Sequence, residues 1–227
     1  MPEHLRTLLR ETGYKQPTVI QKLLFEHYFQ WRAARAKGDN KTPVKIMARA
    51  PTGSGKTLCF MLPILDSLLA PDGTNVHPHL SGKTTALVVL PTRELAVQMG
   101  SYMKKLLGSL PVTYLELVKG AETQSVTHNV VFGTPGTVLK FIDLAKKRKI
   151  TWDMGALEYY VLDEADNLLE GGFENDTKKI RTAVKDGPQI IQWLHDVSCL
   201  RNQFRAAVLR WTGLFRSRRA AERVPRG

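Results

Sequence analysis

The feature that most constrains this chain is a glycine-rich loop between a predicted strand and a predicted helix. Residues 44–50 form a strand-like run, residues 51–55 read Pro-Thr-Gly-Ser-Gly, and an apolar helical pattern begins at Lys56. Glycine tolerates the backbone angles that turn successive N–H groups to one side, and the new helix adds the positive end of its dipole. This order predicts a phosphate-binding loop in an α/β fold.

The two residues that end the loop carry the chemistry expected there. The ammonium group of Lys56 can reach the β- and γ-phosphates of a nucleotide, and the hydroxyl of Thr57 can hold Mg²⁺. The usual pattern has glycine at the first position, where this chain has Ala50. The alternative is a chance Gly-Lys-Thr in a surface loop, which the flanking strand and helix disfavour.

A group of acidic residues ends another predicted strand. The apolar run at residues 159–162 is followed by Asp163, Glu164, Ala165 and Asp166. A carboxylate at the tip of a buried strand can hold Mg²⁺, and its neighbour can orient and activate an attacking water. The alternative is a solvated acidic turn before a helix, where such residues are common. Because a phosphate loop is also predicted, we favour metal binding by Asp163 and water activation by Glu164.

The hydrophobic pattern predicts the overall architecture. Strand-like runs alternate with longer helical patterns, which predicts βαβ units and a mostly parallel sheet with helices on both faces. We expect this α/β domain to span residues 1–196. The predicted strands are 44–50, 85–90, 113–118, 129–133, 159–162 and 189–193, and the predicted helices are 19–37, 56–69, 93–107 and 136–146.

Basic charge is concentrated at the end of the chain. Residues 201–227 contain eight arginines, no lysine and one glutamate, and so carry more than half of the formal net charge of +12. We expect a poorly packed basic tail over residues 197–227. It is either an arm that binds nucleic acid or an unpacked extension, and the second is the simpler interpretation because charged runs are usually solvated.

Several protein classes are disfavoured by what the sequence lacks. Cys59 and Cys199 are too few for a disulfide framework and indicate a reducing, intracellular compartment, either nuclear or cytoplasmic. No apolar run reaches the roughly 18 residues of a membrane span, so we expect no membrane insertion. Residues 1–6 lack the pattern of a secretory signal.

Three further segments complete a set of motifs. Residues 13–21 read GYKQPTVIQ, residues 91–96 read PTRELA, and Thr134, Pro135 and Gly136 follow. With APTGSGKT at 50–57 and Asp-Glu-Ala-Asp at 163–166, the chain resembles the first RecA-like domain of the DEAD-box ATP-dependent RNA helicases. The resemblance covers about residues 5–193 and implies a RecA-like P-loop domain.

The resemblance implies ATP and Mg²⁺ as cofactors. Lys56 would act on the phosphates, Thr57 and Asp163 would hold the metal, and Glu164 would activate water. Gln21 would read the adenine. The residues implied to contact the nucleotide are Lys15, Pro17, Gln21, Ala50, Pro51, Thr52, Gly53, Ser54, Gly55, Lys56 and Thr57.

The resemblance also implies an RNA partner that is bound through its backbone, independently of sequence. The implied contacts sit at predicted strand ends and helix starts, where N–H groups can take phosphates. The plainer alternatives are a helix cap for Thr92 and a simple turn for residues 134–136. The implied RNA-binding residues are Pro91, Thr92, Arg93, Glu94, Gly120, Thr134, Pro135 and Gly136.

The chain departs from the family pattern at several points. Thr137 and Lys119 replace a usual arginine and glycine, and the family's upstream stacking phenylalanine is missing. Leu194-His195-Asp196 stands where the family has Ser-Ala-Thr, and the 34 residues after 193 cannot hold a second RecA-like domain. We therefore expect a truncated chain, to which a partner chain can supply the second domain.

Three functional hypotheses follow. The leading one is an RNA-dependent ATPase that remodels RNA or ribonucleoprotein but is incomplete as a lone chain. The second is a non-catalytic module that binds RNA or ATP, or that competes with a full-length relative. The third is an unstable product of an altered transcript, which would expose apolar surface and aggregate.

Overall fold

The computed structural model describes residues 1–37, 45–51, 53–108, 110–119, 123–170, 172–184 and 189–194. The predicted basic tail at 197–227 lies outside these residues. The described helices are α1 (Glu3–Glu11), α2 (Val19–Ala36), α3 (Lys56–Leu68), α4 (Arg93–Leu107), α5 (Pro135–Lys146), α6 (Ala165–Glu170) and α7 (Glu174–Ala183). The described strands are β1 (Lys45–Arg49), β2 (Ala86–Val89), β3 (Tyr114–Glu116), β4 (Ser125–Val126), β5 (Val130–Gly133), β6 (Thr151–Trp152), β7 (Tyr159–Leu162) and β8 (Gln189–Leu194).

Six of these strands form one sheet, in the order β1-β8-β7-β2-β5-β3. Every neighbouring pair in it is parallel. Strands β4 and β6 form a separate parallel pair. All six predicted strands and all four predicted helices are present within a few residues of their expected bounds, which confirms the predicted α/β fold with its parallel sheet.

Helices cover both faces of the sheet because successive strand residues point to opposite sides. Val88, Phe132 and Val161 belong to one apolar core with residues of α1, α2, α3 and α4. Their strand neighbours Leu87 and Val131 face the other way and are equally buried. On that side α5 contacts β5 and α7, and α7 contacts α6. The central strands β2, β5 and β7 are therefore a buried middle layer.

The helix that follows the glycine-rich loop is almost entirely buried. Eleven of the residues of α3 are buried, and Pro63 lies inside the helix. Cys59 is a free thiol in this helix, and burial raises its pKa to about 12. Cys199 lies outside the described residues. Among the helices of the described ranges, none is long and apolar enough to cross a bilayer.

Candidate functional site

The predicted site residues at 50–57, 91–94, 134–136 and 163–164 follow strand ends at a single edge of the sheet. In the register of the sheet, Val89 pairs with Leu162 on one side and with Gly133 on the other. Parallel strands all end at the same edge, and neighbours lie about 4.8 Å apart. Four such steps separate β1 from β5, so the loop after β1, the acidic residues after β7 and the turns after β2 and β5 share an edge about 20 Å long.

The loop after β1 has the backbone of a phosphate cradle. Gly53 and Gly55 have φ angles of 76° and 84°, in the region that glycine enters without strain. The Ser54 hydroxyl donates to the carbonyl oxygen of Pro51 at 2.7 Å, which closes the turn. Nζ of Lys56 donates to the carbonyl oxygen of Ala50 at 3.0 Å, and this lysine is only 9% exposed. Thr52 lies outside the described residues.

The segment before α2 is hydrogen-bonded to this loop. The Thr18 hydroxyl donates to the carbonyl oxygen of Ser54 at 2.8 Å. Gln21 is 3% exposed, its Nε2 donates to the carbonyl oxygen of Gly55 at 3.0 Å, and its Oε1 accepts from the Thr18 backbone at 2.9 Å. Lys15 and Pro17 are exposed beside it. The side-chain amide of Gln21 thus supports the loop, and its contact with adenine stays a prediction.

The acidic residues after β7 lie in a tight, partly strained turn. Asp163 is 9% exposed, and its backbone N–H donates to the carbonyl oxygen of Val89 at 3.0 Å. Its Oδ1 accepts the backbone N–H of Glu164 at 3.1 Å, and Glu164 has a φ angle of 50°. A residue other than glycine in this left-handed region is strained, and such strain clusters at functional sites. The solvated-turn alternative does not fit the burial of Asp163.

The donor set of this edge fits Mg²⁺ held together with phosphate. In the described ranges no three histidine, cysteine or acidic residues cluster in a way that could hold a metal alone. Mg²⁺ is usually bound by one or two protein oxygens, with substrate phosphates and water completing its octahedron. The half-buried hydroxyl of Thr57 and the carboxylate of Asp163 suit that arrangement.

The turn after β2 leads into α4 through a capping residue. The Thr92 hydroxyl accepts the backbone N–H of Leu95 at 3.3 Å, so the helix-cap interpretation is confirmed. Thr92, Arg93 and Glu94 are exposed and Pro91 is buried. The Glu94 backbone N–H, and to a lesser degree the Thr92 hydroxyl, hold the pKa of the Glu94 carboxyl below its usual value.

The turn after β5 leads into α5. The Thr134 hydroxyl is hydrogen-bonded to that of Thr137 at 3.0 Å, and the carbonyl oxygen of Thr134 accepts the Val138 N–H at 2.9 Å. Pro135 is the first residue of the helix. Residues 134–136 are therefore the start of a helix and not an isolated turn, and their contact with RNA stays a prediction. A Cβ atom on Gly136 would meet nothing within 4 Å, so this helix start is open. Gly120 lies outside the described residues.

Two residues of the site were missed by sequence reasoning. Thr18 was not predicted as a site residue, yet it holds the carbonyl oxygen of Ser54. Asn167 donates from Nδ2 to Oε2 of Glu164 at 3.0 Å and so orients that carboxylate. The only sequence signal for Asn167 is its spacing of three residues from Glu164 at a helix start, which places the two side chains side by side.

Sequence comparison places the chain among known proteins. Residues 29–195, more than half of the chain, match the family described as DEAD/DEAH box helicase. The ATP-dependent RNA helicase vasa of Drosophila melanogaster is 34% identical over 190 residues, which are 80% of this chain and 25% of vasa. The ATP-dependent RNA helicase DBP7 of Gibberella zeae is 32% identical over 187 residues, which are 78% of this chain and 23% of that protein.

Solved structures show the same fold. S. cerevisiae Dbp5 bound to RNA and ADP BeF3 superposes with a TM-score of 0.66 at 22% identity, covering 92% of this chain and 47% of that chain. A DEAD box protein from the hyperthermophile Methanococcus jannaschii gives 0.64 at 24% identity, covering 90% and 49%. The fold is thus the RecA-like domain of such proteins. This chain spans about a quarter of those two sequence relatives and about half of those two structures, and it belongs to the DEAD/DEAH box helicase family.

Proposed function

We propose that this chain binds ATP with Mg²⁺ and hydrolyses it in a reaction that RNA stimulates, as part of an enzyme that remodels RNA or ribonucleoprotein. The observation that carries the proposal is the shared sheet edge. The phosphate loop with Lys56, the buried carboxylate of Asp163 and the starts of α4 and α5 all lie along it. The named sequence relatives are ATP-dependent RNA helicases, which supports the same assignment.

Each side chain of the nucleotide site has a defined task in this proposal. Lys56 leaves the carbonyl oxygen of Ala50 and neutralises charge on the β- and γ-phosphates. Thr57 and Asp163 hold Mg²⁺, which when bound neutralises charge on the phosphate oxygens. Glu164, held by Asn167, orients the attacking water and takes its proton. Gln21 keeps the loop in place and contacts the adenine.

RNA binds along the same edge through its phosphates. The exposed starts of α4 at Thr92 and Arg93 and of α5 at Gly136 present N–H groups and the positive ends of two helix dipoles. Contacts of this kind position a strand without reading its bases. The proposal therefore includes RNA binding that is independent of sequence.

A second RecA-like domain completes the site in this proposal. Phosphoryl transfer needs a further cation on the transferring group, and an arginine finger contributes about 10³–10⁵ in rate. We propose that this arginine comes from a second domain, which a partner chain can supply. The coverage of about half of each solved relative supports this part of the proposal.

The test is steady-state ATP hydrolysis by the purified chain, with and without single-stranded RNA. We expect RNA to raise the rate and Lys56→Ala to lower it by about 100-fold or more, because a preorganised charge on the reacting group is lost. Lys105→Ala, which removes an exposed lysine on α4, is the matched control and should leave the rate unchanged. Turnover that Lys56→Ala does not reduce would contradict the assignment of the site.

The second candidate function is a non-catalytic module that binds ATP or RNA. Leu194-His195-Asp196, in place of the Ser-Ala-Thr of the resembled family, favours it. A chain whose melting temperature rises with ATP, since ligand stabilises the folded state, but which shows no turnover above Lys56→Ala would support this candidate. A broad, ATP-insensitive transition with light scattering would support the unstable-product hypothesis.

A further inference from the structure

Four consecutive basic residues stand where helix α5 ends, and we call them the basic turn: Lys146, Lys147, Arg148 and Lys149. All four side chains are exposed. None of them forms an ion pair with any residue that the structure describes. The basic turn is therefore a dense positive patch without an ion pair in the described part of the chain, and it lies at the end of α5 away from the predicted RNA contacts.

The backbone of the basic turn is closed by hydrogen bonds. The N–H of Arg148 donates to the carbonyl oxygen of Ala145 at 3.0 Å, and the N–H of Lys149 donates to that of Leu144 at 2.9 Å. This is the Schellman pattern that ends many helices, and its left-handed position is usually glycine. Here that position is Arg148, with a φ angle of 55°. The chain thus has an arginine at a position where glycine would have less backbone strain.

The residues after the basic turn are also fixed. The N–H of Thr151 donates to the carbonyl oxygen of Gln124 at 2.9 Å, at the start of β6. Nε1 of Trp152 donates to the buried hydroxyl of Thr84 at 2.9 Å. A receptor that binds its target as an extended peptide, such as a nuclear import receptor, would have to break the hydrogen bonds on both sides of Ile150. The fixed backbone favours a rigid charged surface over a linear signal.

Helix α5 connects the basic turn to the predicted RNA contacts. Its 12 residues, Pro135–Lys146, span about 18 Å. Lys140, Asp143 and Lys147 follow Gly136 at spacings of four, three and four residues, so they share one face, and all are exposed. This face leads from the start of α5 to the basic turn, with Asp143 as its one acidic residue.

We propose that the basic turn is a second contact for the phosphate backbone of RNA. It holds a single strand that leaves the start of α5 and passes along the exposed face of that helix. This inference rests on the proposed RNA binding at the sheet edge. Lysine and arginine bind phosphates without reading bases. The contact therefore increases the number of nucleotides bound and selects no base sequence.

The test compares two fluorescein-labelled oligouridylates, of about 6 and about 15 nucleotides, by fluorescence anisotropy over a range of salt concentrations. The variant is Lys147→Gln/Lys149→Gln. The matched control is Lys104→Gln/Lys105→Gln, which removes two exposed lysines at the end of α4, on the other side of the sheet. Circular dichroism melts of both variants establish that they fold like the wild-type chain.

We expect the wild-type chain to bind the longer RNA more tightly. The Lys147→Gln/Lys149→Gln variant should lose that advantage and bind the shorter RNA as before. The slope of log affinity against log salt for the longer RNA should fall by about 1.4, since each phosphate contact of a single strand contributes about 0.7. The control variant should retain the length advantage.

Other outcomes would overturn the inference. If the Lys147→Gln/Lys149→Gln variant still binds the longer RNA more tightly than the shorter one by the wild-type factor, the basic turn does not contact RNA and would serve another partner, such as an import receptor. RNA binding at the sheet edge would be unaffected by that result. If affinity falls equally for both RNA lengths, or equally in both variants, the effect is general charge attraction and not a specific second contact. A wild-type chain that binds neither RNA would remove the RNA part of the proposed function as well.

Discussion

Gln21 and Gly55 are in direct contact, with Nε2 of the glutamine donating to the carbonyl oxygen of the glycine at 3.0 Å. The bond ties the first turn of α2 to the residue that precedes α3. The glycine-rich loop is therefore held from outside by a residue 34 positions earlier in the chain. The same contact leaves no room for a side chain on Gly55, because an added Cβ would lie 2.2 Å from Nε2 of Gln21.

Gly55→Ala should lower the free energy of unfolding by about 2 kcal/mol or more. The φ angle of 84° alone costs roughly 1–2 kcal/mol for a residue with a Cβ atom, and the contact with Gln21 adds to it. Urea denaturation measures the change. Gly53→Ala is the matched control, because its φ angle is 76° but its Cβ would meet nothing within 4 Å.

A double-mutant cycle separates the clash from the backbone strain. In a Gln21→Ala background, the cost of Gly55→Ala should fall toward that of Gly53→Ala, since the obstructing amide is gone. A cost that is the same in both backgrounds would mean that Gln21 moves aside freely. Its hydrogen bond would then not position the loop.

An ion pair between the half-exposed Arg32 and the buried Asp66 joins α2 to α3. Nη1 of Arg32 lies 2.6 Å from Oδ2 of Asp66, whose side chain is fully buried, and the Tyr28 hydroxyl donates to the same oxygen at 2.8 Å. Arg32→Met should lower the free energy of unfolding by about 2 kcal/mol, because it leaves a buried carboxylate without its cation while water can enter from the side of the half-exposed guanidinium. Chemical denaturation measures this loss.

The double variant Arg32→Met/Asp66→Leu is the control for this pair. Removing both charges removes the uncompensated carboxylate, so the double variant should be more stable than Arg32→Met alone. If the two variants are equally unstable, the loss comes from the packing of α2 and not from the charge.

The Tyr28 hydroxyl remains a hydrogen-bond donor to Asp66 at ordinary pH. Burial, followed by the nearby phenol of Tyr159 and the carboxylate of Asp66, raises the pKa of Tyr28.

The sequence predicts the sheet well because each of its strands is a short apolar run between turn signals. The predicted bounds of β7 and of α4 agree with the structure at every residue. The site edge is predictable for the same reason, since parallel strands bring all their carboxyl ends together. The position of the edge depends only on the order of the strands and helices, which the sequence contains.

What the sequence does not predict depends on contacts between distant residues. The short helix α1 is held by the burial of Leu5 and Leu8, and its two and a half turns are marginal without that packing. Strands β4 and β6 have two residues each and exist only as a pair. The protein contacts of Gln21 were missed because a polar side chain beside a predicted nucleotide site is naturally assigned to the ligand.

His128 should make the stability of the protein depend on pH. Burial lowers its pKa, and its Nδ1 has no hydrogen-bond partner among the described residues. The folded state therefore favours the neutral ring. The stability that the neutral ring contributes is complete above the pKa of histidine in the unfolded chain, about 6.5. It is lost as the pH falls through the lower pKa of His128 in the folded state. The free energy of unfolding should thus be lower at acidic pH.

The measurement is urea denaturation of wild type and His128→Asn across this pH range. The other histidines are the same in both proteins, so the difference between the two curves isolates His128. The difference should be small, below about 1 kcal/mol, because the ring is partly exposed and solvent screens it. Parallel curves would show that protonation of His128 is not coupled to folding.

Arg148→Gly should stabilise the protein by about 1 kcal/mol while weakening its contact with long RNA. Glycine suits the left-handed position that ends α5, whereas the arginine there has a φ angle of 55° and a backbone cost. Arg148→Ala removes the same charge but keeps the cost, so the difference in unfolding free energy between the two variants measures the backbone strain less the greater unfolded-state entropy of glycine. Both should bind the longer RNA less tightly than wild type does. A Gly variant no more stable than the Ala variant would mean that the turn relaxes around Arg148, and the retained arginine would then need no functional reason.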